Sequence, residues 1–317
     1  MKILIADRIS NEGLDILDRA GAEVDVKLGL KPEELKSIIG SYAALIVRSQ
    51  TKVSAEVIRA GKDLKVIARA GIGVDNIDVK EATRQGILVV NAPTCSTIAV
   101  AEYVFGLMLS LVRHIPQANN KLKSGVWAKS EFMGTELKGK TLGIIGLGKI
   151  GKAVARRAQV FEMKVIAHDP FVSTDYAHNL QVELVSLERL LKESDFITLH
   201  LTLTPSTKGL IGAKELALVK PTVRIINCAR GALIDEEALA KAIEEKKFAG
   251  AAIDVYCKEP PVDCVLLKYE SIINTPHIAA STAEAQTIAA TTVAEQIVDV
   301  LNGKPPKYAV NNPLTKK

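Results

Sequence analysis

The sequence predicts an α/β protein made of two doubly wound parallel sheets. Short apolar runs alternate with helical patterns along nearly the whole chain, and repeated strand–helix units build parallel sheets covered by helices on both faces. The alternation is interrupted once, by a mainly helical stretch at 97–125 that separates an earlier strand series from a later one. The length, 317 residues, suits two domains of roughly 100–200 residues each.

The first series reads KILIAD (2–7), EVDVKL (23–28), ALIVRS (44–49), KVIARA (65–70) and ILVVNA (87–92). Helical patterns lie between, for example at 10–20 and 32–39. Pro32 suits a first helical turn, and Glu33 and Glu34 favour its positive end. The stretch from Thr97 is expected to break into two helices at Pro116. It continues to Phe132 as an arm that is apolar on one side and carries Trp127. Such an arm suits a two-fold interface, so a homodimer is expected. The second series reads TLGIIG (141–146), KVIAHD (164–169), DFITLH (195–200), VRIINC (223–228), AGAAID (249–254) and SIINTP (271–276). A long helix follows at 281–301, rich in Ala, Thr and Val, and then a polar tail. The pattern alone does not decide whether that helix returns to the first domain.

Composition removes several classes of function. The chain is 48% hydrophobic and 24% charged, which is globular rather than disordered. Its most apolar stretch, 97–112, contains Glu102 and is shorter than the roughly 20 residues a membrane span needs. The N-terminus reaches Asp7 too soon for a signal-peptide apolar region. Cys95, Cys228, Cys257 and Cys264 lack CxxC spacing, which points to reduced thiols in the cytoplasm and to no metal site. The net charge of +5 is spread along the chain and aromatics are only 4%. No nucleic-acid footprint is therefore expected, whereas a cleft for a small anionic substrate fits.

Gly146-Leu-Gly148-Lys149-Ile150-Gly151 lies between an apolar strand and a helical pattern, the context in which GxGxxG binds a dinucleotide. Gly146 permits the tight turn, Gly148 lets the backbone approach a pyrophosphate, and Gly151 lets helix and strand pack closely. The helix N-terminus offers free N–H groups to the anion. Asp169 ends the next strand, 18 residues beyond Gly151. Its carboxylate suits ribose hydroxyls and repels a 2′-phosphate, and no arginine follows Pro170-Phe171 to receive one, so NAD is expected over NADP.

Three candidate catalytic residues follow later strands: Arg230 after VRIINC, Glu259 after AGAAID and His277 after SIINTP. Open α/β sheets bind ligands at such strand ends. A hydroxy-acid dehydrogenase needs a base for the hydroxyl proton, a cation for the carboxylate and a group that tunes the base; His, Arg and Glu supply these.

The chain resembles the D-isomer-specific 2-hydroxy-acid dehydrogenases. The resemblance covers 2–304 and rests on VRSQTKV (47–53), ARAGIGVDNID (68–78), FMGTELKGKTLGIIGLGKIG (132–151), INCARGALIDEEAL (226–239), AAIDVYCKEPP (251–261) and NTPHIAAST (274–282). It implies a discontinuous flavodoxin-like substrate domain (1–96 and 283–317) and a Rossmann NAD-binding domain with the dimer arm (97–282). It implies that Arg230 binds the substrate carboxylate and keto oxygen, that His277 is the acid/base, and that Glu259 pairs with His277. Asp254 would meet the nicotinamide carboxamide, with Lys149, Ile150, Cys228, Arg230, His277 and Ala280 also lining the cofactor. Arg48, Arg69, Ile72 and Gly73 would join Arg230 and His277 at the substrate. Arg48 and Arg69 end neighbouring strands, and two guanidinium forks suit a phosphate. The expected reaction is NAD-dependent oxidation of 3-phospho-D-glycerate, the first step towards serine. Reduction of glyoxylate or hydroxypyruvate is the alternative within the same class, and a dinucleotide-sensing corepressor is the alternative outside it. With the chain ending soon after His277, no C-terminal regulatory domain is expected.

Three places depart from the family pattern. Cys95-Ser96 stands where Gly-Asn is usual, which puts the hinge near the substrate in question. Lys129 and Glu131 stand where basic residues are common, so Glu131 is expected to weaken an anion site there. Leu201-Thr202 lacks the usual proline after His200, with unknown effect on cofactor contacts.

Overall fold

Strands and helices alternate along the first part of the chain: β1 (Lys2–Ile5), α1 (Asn11–Arg19), β2 (Glu23–Val26), α2 (Pro32–Ile38), β3 (Ala44–Val47), α3 (Ala55–Ala60), β4 (Val66–Arg69), α4 (Val79–Gln85) and β5 (Leu88–Asn91). The five strands pair in parallel in the order β2-β1-β3-β4-β5, the flavodoxin-like doubly wound arrangement. β3 is buried at all four residues, as a strand covered on both faces must be. The strands are shorter than the apolar runs that announce them. Asp7, Arg48 and Ala92 leave the ladder and begin the loops at its C-terminal edge.

The chain continues with α5 (Thr97–Arg113), α6 (Ile115–Lys123), β6 (Thr141–Ile145), α7 (Lys149–Val160), β7 (Lys164–His168), α8 (Thr174–Asn179), β8 (Glu183–Leu184) and α9 (Leu187–Glu193). Then come β9 (Phe196–Leu199), α10 (Ala213–Leu216), β10 (Arg224–Asn227), α11 (Glu236–Glu244), β11 (Gly250–Ile253), β12 (Ile272–Asn274) and α12 (Ala283–Leu301). The second sheet is parallel, in the order β12-β11-β10-β9-β6-β7-β8. Its order reverses at β6, the crevice where Rossmann folds hold dinucleotides. A computed structural model describes residues 1–313; residues 314–317, the end of the expected tail, lie outside the described residues. Contacts divide the chain into two units, Met1–Ser96 with the segment from Ser281 onward, and Thr97–Ala280.

The break between α5 and α6 falls at His114, not at Pro116. His114 takes a left-handed conformation (φ 54°), while Pro116 sits in the first turn of α6, where its missing N–H is harmless. The helical arm also ends sooner than expected, at Lys123. From there to Phe132 the only regular piece is a 3₁₀ turn at Lys129–Glu131. No single helix among the described residues is long and apolar enough to cross a membrane, and α5 and α6 bend by 62° at their break.

α12 packs on α1 because Gly13 lets it come close: a Cβ there would lie 2.8 Å from that of Ala290. The tail then covers β5. Asn311 accepts from the Val89 N–H and donates to the Ile87 carbonyl, and Ala309 bridges Val90 antiparallel. That closes a sheet edge otherwise open to pairing. Gly13→Val should overpack the α1–α12 contact and cost about 1–3 kcal/mol, read as a lower urea midpoint with an unchanged slope.

Candidate active site

The glycine-rich turn follows β6 directly. Gly146 has φ +95°, and a Cβ there would strike the His200 carbonyl at 2.6 Å. At Gly151 a Cβ would lie 2.1 Å from the Gly146 carbonyl oxygen, whereas at Gly148 nothing lies within 4 Å. So Gly146 and Gly151 are glycines because the fold leaves no room, and Gly148 leaves its face open to an approaching group. Gly148 caps α7 without a side-chain acceptor for the first N–H groups. Lys149 and Ile150 form the first turn. Asp169 follows β7, and its two oxygens accept from the Leu147 N–H (2.8 Å) and the Phe171 N–H (2.9 Å). The carboxylate therefore shapes the glycine turn itself. His200, behind that turn, bonds through Nε2 to the Thr198 hydroxyl, and burial pushes its pKa down to about 3. The imidazole stays neutral beside the place an anion would take.

The second cluster lies at the C-terminal ends of β10, β11 and β12 in the same unit. His277 Nδ1 meets Glu259 Oε2 at 2.8 Å, and the other Glu259 oxygen accepts from the Tyr256 N–H at 3.1 Å. Burial pushes the Glu259 carboxyl up. The bond and charge of His277, the Tyr256 N–H and the charge of Arg230 outweigh it and hold the carboxyl below its ordinary value. Arg230, at the start of the 3₁₀ turn Gly231–Leu233, gives one guanidinium N–H to the Ala229 carbonyl. Asp254 is fully buried. It accepts from the Thr275 hydroxyl (2.7 Å) and from the Ile278 and Ala279 N–H groups (both 2.9 Å). Burial, then the charge of Asp254, raises the Cys228 thiol well above its ordinary value, so Cys228 is a neutral wall. Ala280 closes the unit after Ala279.

In the other unit, Val47 of β3 and Arg69 of β4 are register partners, so Arg48 and Arg69 leave adjacent strands at one edge. Arg69 lies over Gly71, where a Cβ would fall 1.5 Å from its Nη1. Ile72 and Gly73 continue that loop, and the Ile72 carbonyl accepts from Asn91 Nδ2 at 2.6 Å.

A family model described as the D-isomer specific 2-hydroxyacid dehydrogenase NAD binding domain matches residues 105–279, the stretch that holds both clusters of this unit. The chain belongs to this family. The D-3-phosphoglycerate dehydrogenase of Synechocystis sp. is 52% identical over 312 residues, covering 98% of this chain and 56% of that protein. The enzyme of that name from Archaeoglobus fulgidus is 51% identical over 314 residues, covering 99% of this chain and 60% of that protein. The chain thus spans somewhat over half the length of these curated relatives. Among solved structures, the TT0316 protein from Thermus thermophilus is 34% identical with a TM-score of 0.91, covering 98% of this chain and 100% of that one.

NAD is the cofactor of the family's nucleotide-binding domain, and the residues present fit it. The open face at Gly148, the uncapped start of α7 and a carboxylate at the end of β7 stand where pyrophosphate and ribose need them. Asp169 has two of its roughly four acceptor positions in use, leaving the rest for ribose hydroxyls. Among the described residues no group of His, Cys, Asp and Glu side chains could hold a metal.

Sequence reasoning missed the residues that hold this site in shape. Thr275, two residues before His277, is one. Tyr256 is another: its hydroxyl lies 3.2 Å from the Ile253 and Thr275 carbonyls, tying the ends of β11 and β12. A short polar or aromatic residue within two positions of a candidate at a strand end was the available signal. For cofactor choice, kcat/KM with NAD should exceed that with NADP by at least about tenfold, about 1.4 kcal/mol, and Asp169→Ser should narrow the gap. Equal efficiency in the unaltered enzyme would remove Asp169 from the ribose.

Proposed function

We propose that the chain catalyses NAD-dependent oxidation of 3-phospho-D-glycerate to 3-phosphohydroxypyruvate, the activity for which the relatives above are named. The observation that supports the reaction class most directly is the His277–Glu259 bond with the Arg230 charge beside it. Bound NAD supplies the hydride acceptor. His277 Nε2 takes the C2 hydroxyl proton as hydride leaves C2, and returns it in the reverse direction. Glu259 at Nδ1 fixes the ring tautomer and stabilises the imidazolium that forms. Arg230 holds the carboxylate and the oxygen on C2. Arg48 and Arg69 hold the phosphate. Asp254, fully buried, shapes the nicotinamide side of the site through the Thr275–Ala279 loop it holds rather than by touching the cofactor.

The same reading makes the protein a homodimer. Trp127 is 80% exposed and Met133 is 88% exposed, with Ile98, Ile115 and Leu122 also bare. Exposed apolar side chains of this size along one segment of the chain suit a surface that a second copy covers. The four free cysteines suit the cytoplasm.

His277→Asn should lower kcat by roughly 10²–10⁴-fold and leave NADH binding nearly intact; near-native turnover would sink the mechanism. Arg48→Ala and Arg69→Ala should raise KM for phosphohydroxypyruvate roughly ten- to hundredfold more than KM for glyoxylate. Equal losses, followed through NADH absorbance, would make the two arginines structural and the enzyme a general D-2-hydroxy-acid dehydrogenase. Sedimentation at micromolar concentration should show a dimer, and a monomer alone would reject the assembly.

A further inference from the structure

We propose that Asp7 and Asn76 are positioning residues that make Arg48 selective for a phosphorylated substrate. The inference rests on the reading that Arg48 holds the phosphate. Arg48 opens a four-residue turn, Arg48-Ser49-Gln50-Thr51, after β3. Both ends of the turn are gripped by the same two side chains. Asp7, buried at the end of β1, accepts from the Arg48 N–H (2.6 Å), the Thr51 N–H (3.1 Å) and the Thr51 hydroxyl (2.7 Å). From the other side, Asn76 Nδ2 donates to the Arg48 carbonyl (2.7 Å) and the Thr51 carbonyl (2.6 Å). The Asn76 carbonyl accepts from the Val53 N–H at 2.8 Å, anchoring the chain just beyond.

The two grips are chemically complementary. A carboxylate has only acceptors and takes the N–H groups, and an amide nitrogen has two donors and takes the carbonyls. Every backbone polar group of Arg48 and Thr51 is therefore engaged by a side chain that lies outside the turn. A guanidinium on a free loop would lose more entropy on binding an anion, whereas one whose backbone is fixed on both sides gives up only its own rotamers. This arrangement belongs to the substrate rather than to the hydride chemistry. Its signature is a KM effect confined to the phosphorylated substrate.

The experiment uses the whole chain with Asp7→Asn, Asn76→Ala and Arg48→Ala. It measures KM and kcat for phosphohydroxypyruvate and glyoxylate, thermal melting, and hydrogen exchange at the amides of Arg48 and Thr51. We expect Asn76→Ala and Asp7→Asn to raise KM for phosphohydroxypyruvate roughly five- to tenfold more than KM for glyoxylate, about what one or two hydrogen bonds are worth. Exchange at Arg48 and Thr51 should quicken in Asp7→Asn. Changes that are equal for both substrates, or a lowered melting point alone, would overturn the proposal, as would unchanged exchange. If Arg48→Ala itself fails to separate the substrates, the phosphate reading falls and the selectivity claim with it. If Arg48→Ala separates them and the two positioning variants do not, only the proposal falls.

Discussion

One buried carboxylate, Asp254, holds together the part of the molecule where the chemistry is assigned. It lies at the end of β11, out of contact with solvent. A charge in that position is costly unless strong donors surround it. Its three donors all come from the stretch that carries His277: the Thr275 hydroxyl and the N–H groups of Ile278 and Ala279. His277 has φ +55°, a left-handed conformation that costs a side-chain-bearing residue about 1–3 kcal/mol and persists only when its surroundings over-determine it. Asp254 does so from both sides of the histidine. The imidazole can then present Nδ1 to Glu259, and Glu259 can be steadied in turn by the Tyr256 N–H.

The other unit solves the same problem with the same chemistry. At the C-terminal edge of a parallel sheet the chain leaves the ladder, and its next N–H groups need acceptors. A short acid at the end of a strand supplies them without reaching far. Asp7 does this for the turn after β3, Asp169 for the glycine turn after β6, and Asp254 for the loop after β12. In each case the acid belongs to one strand and the loop it shapes follows another strand. The residues that would touch a ligand are thus held by groups distant in sequence.

That distance sets what a sequence reader can see. Apolar runs and glycine spacing are local, so the parallel sheets and the turn at Gly146 were legible. So were Arg230, Glu259 and His277 as residues at strand ends, since each follows its own apolar run. The grip of Asp7 on Thr51 or of Asp254 on Ala279 has no local signal, because the partner is a backbone N–H that every residue except proline carries. β8 carries no sequence signal, because two residues make no pattern. Pro116 does not break the helix, because its ring is at ease in a first turn; the break is the left-handed backbone of His114, which has no local sequence signal.

The departures from the family pattern are resolved by their neighbours rather than by their own chemistry. Glu131 does not stand alone beside an anion site: Lys121 meets it at 2.7 Å, so the pair adds no net negative charge, although an exposed pair contributes little stability. Leu201, where proline is usual, reaches the glycine turn; its Cδ2 would lie 2.8 Å from a Cβ on Gly146. It therefore helps fill the space that obliges Gly146 to be glycine. Cys95 is buried, and burial raises its thiol even though the Arg69 charge pulls the other way. A neutral thiol adds no negative charge beside Arg69. The change at 95 thus places a buried, neutral group, rather than an anion, at the strand edge where Arg48 and Arg69 emerge.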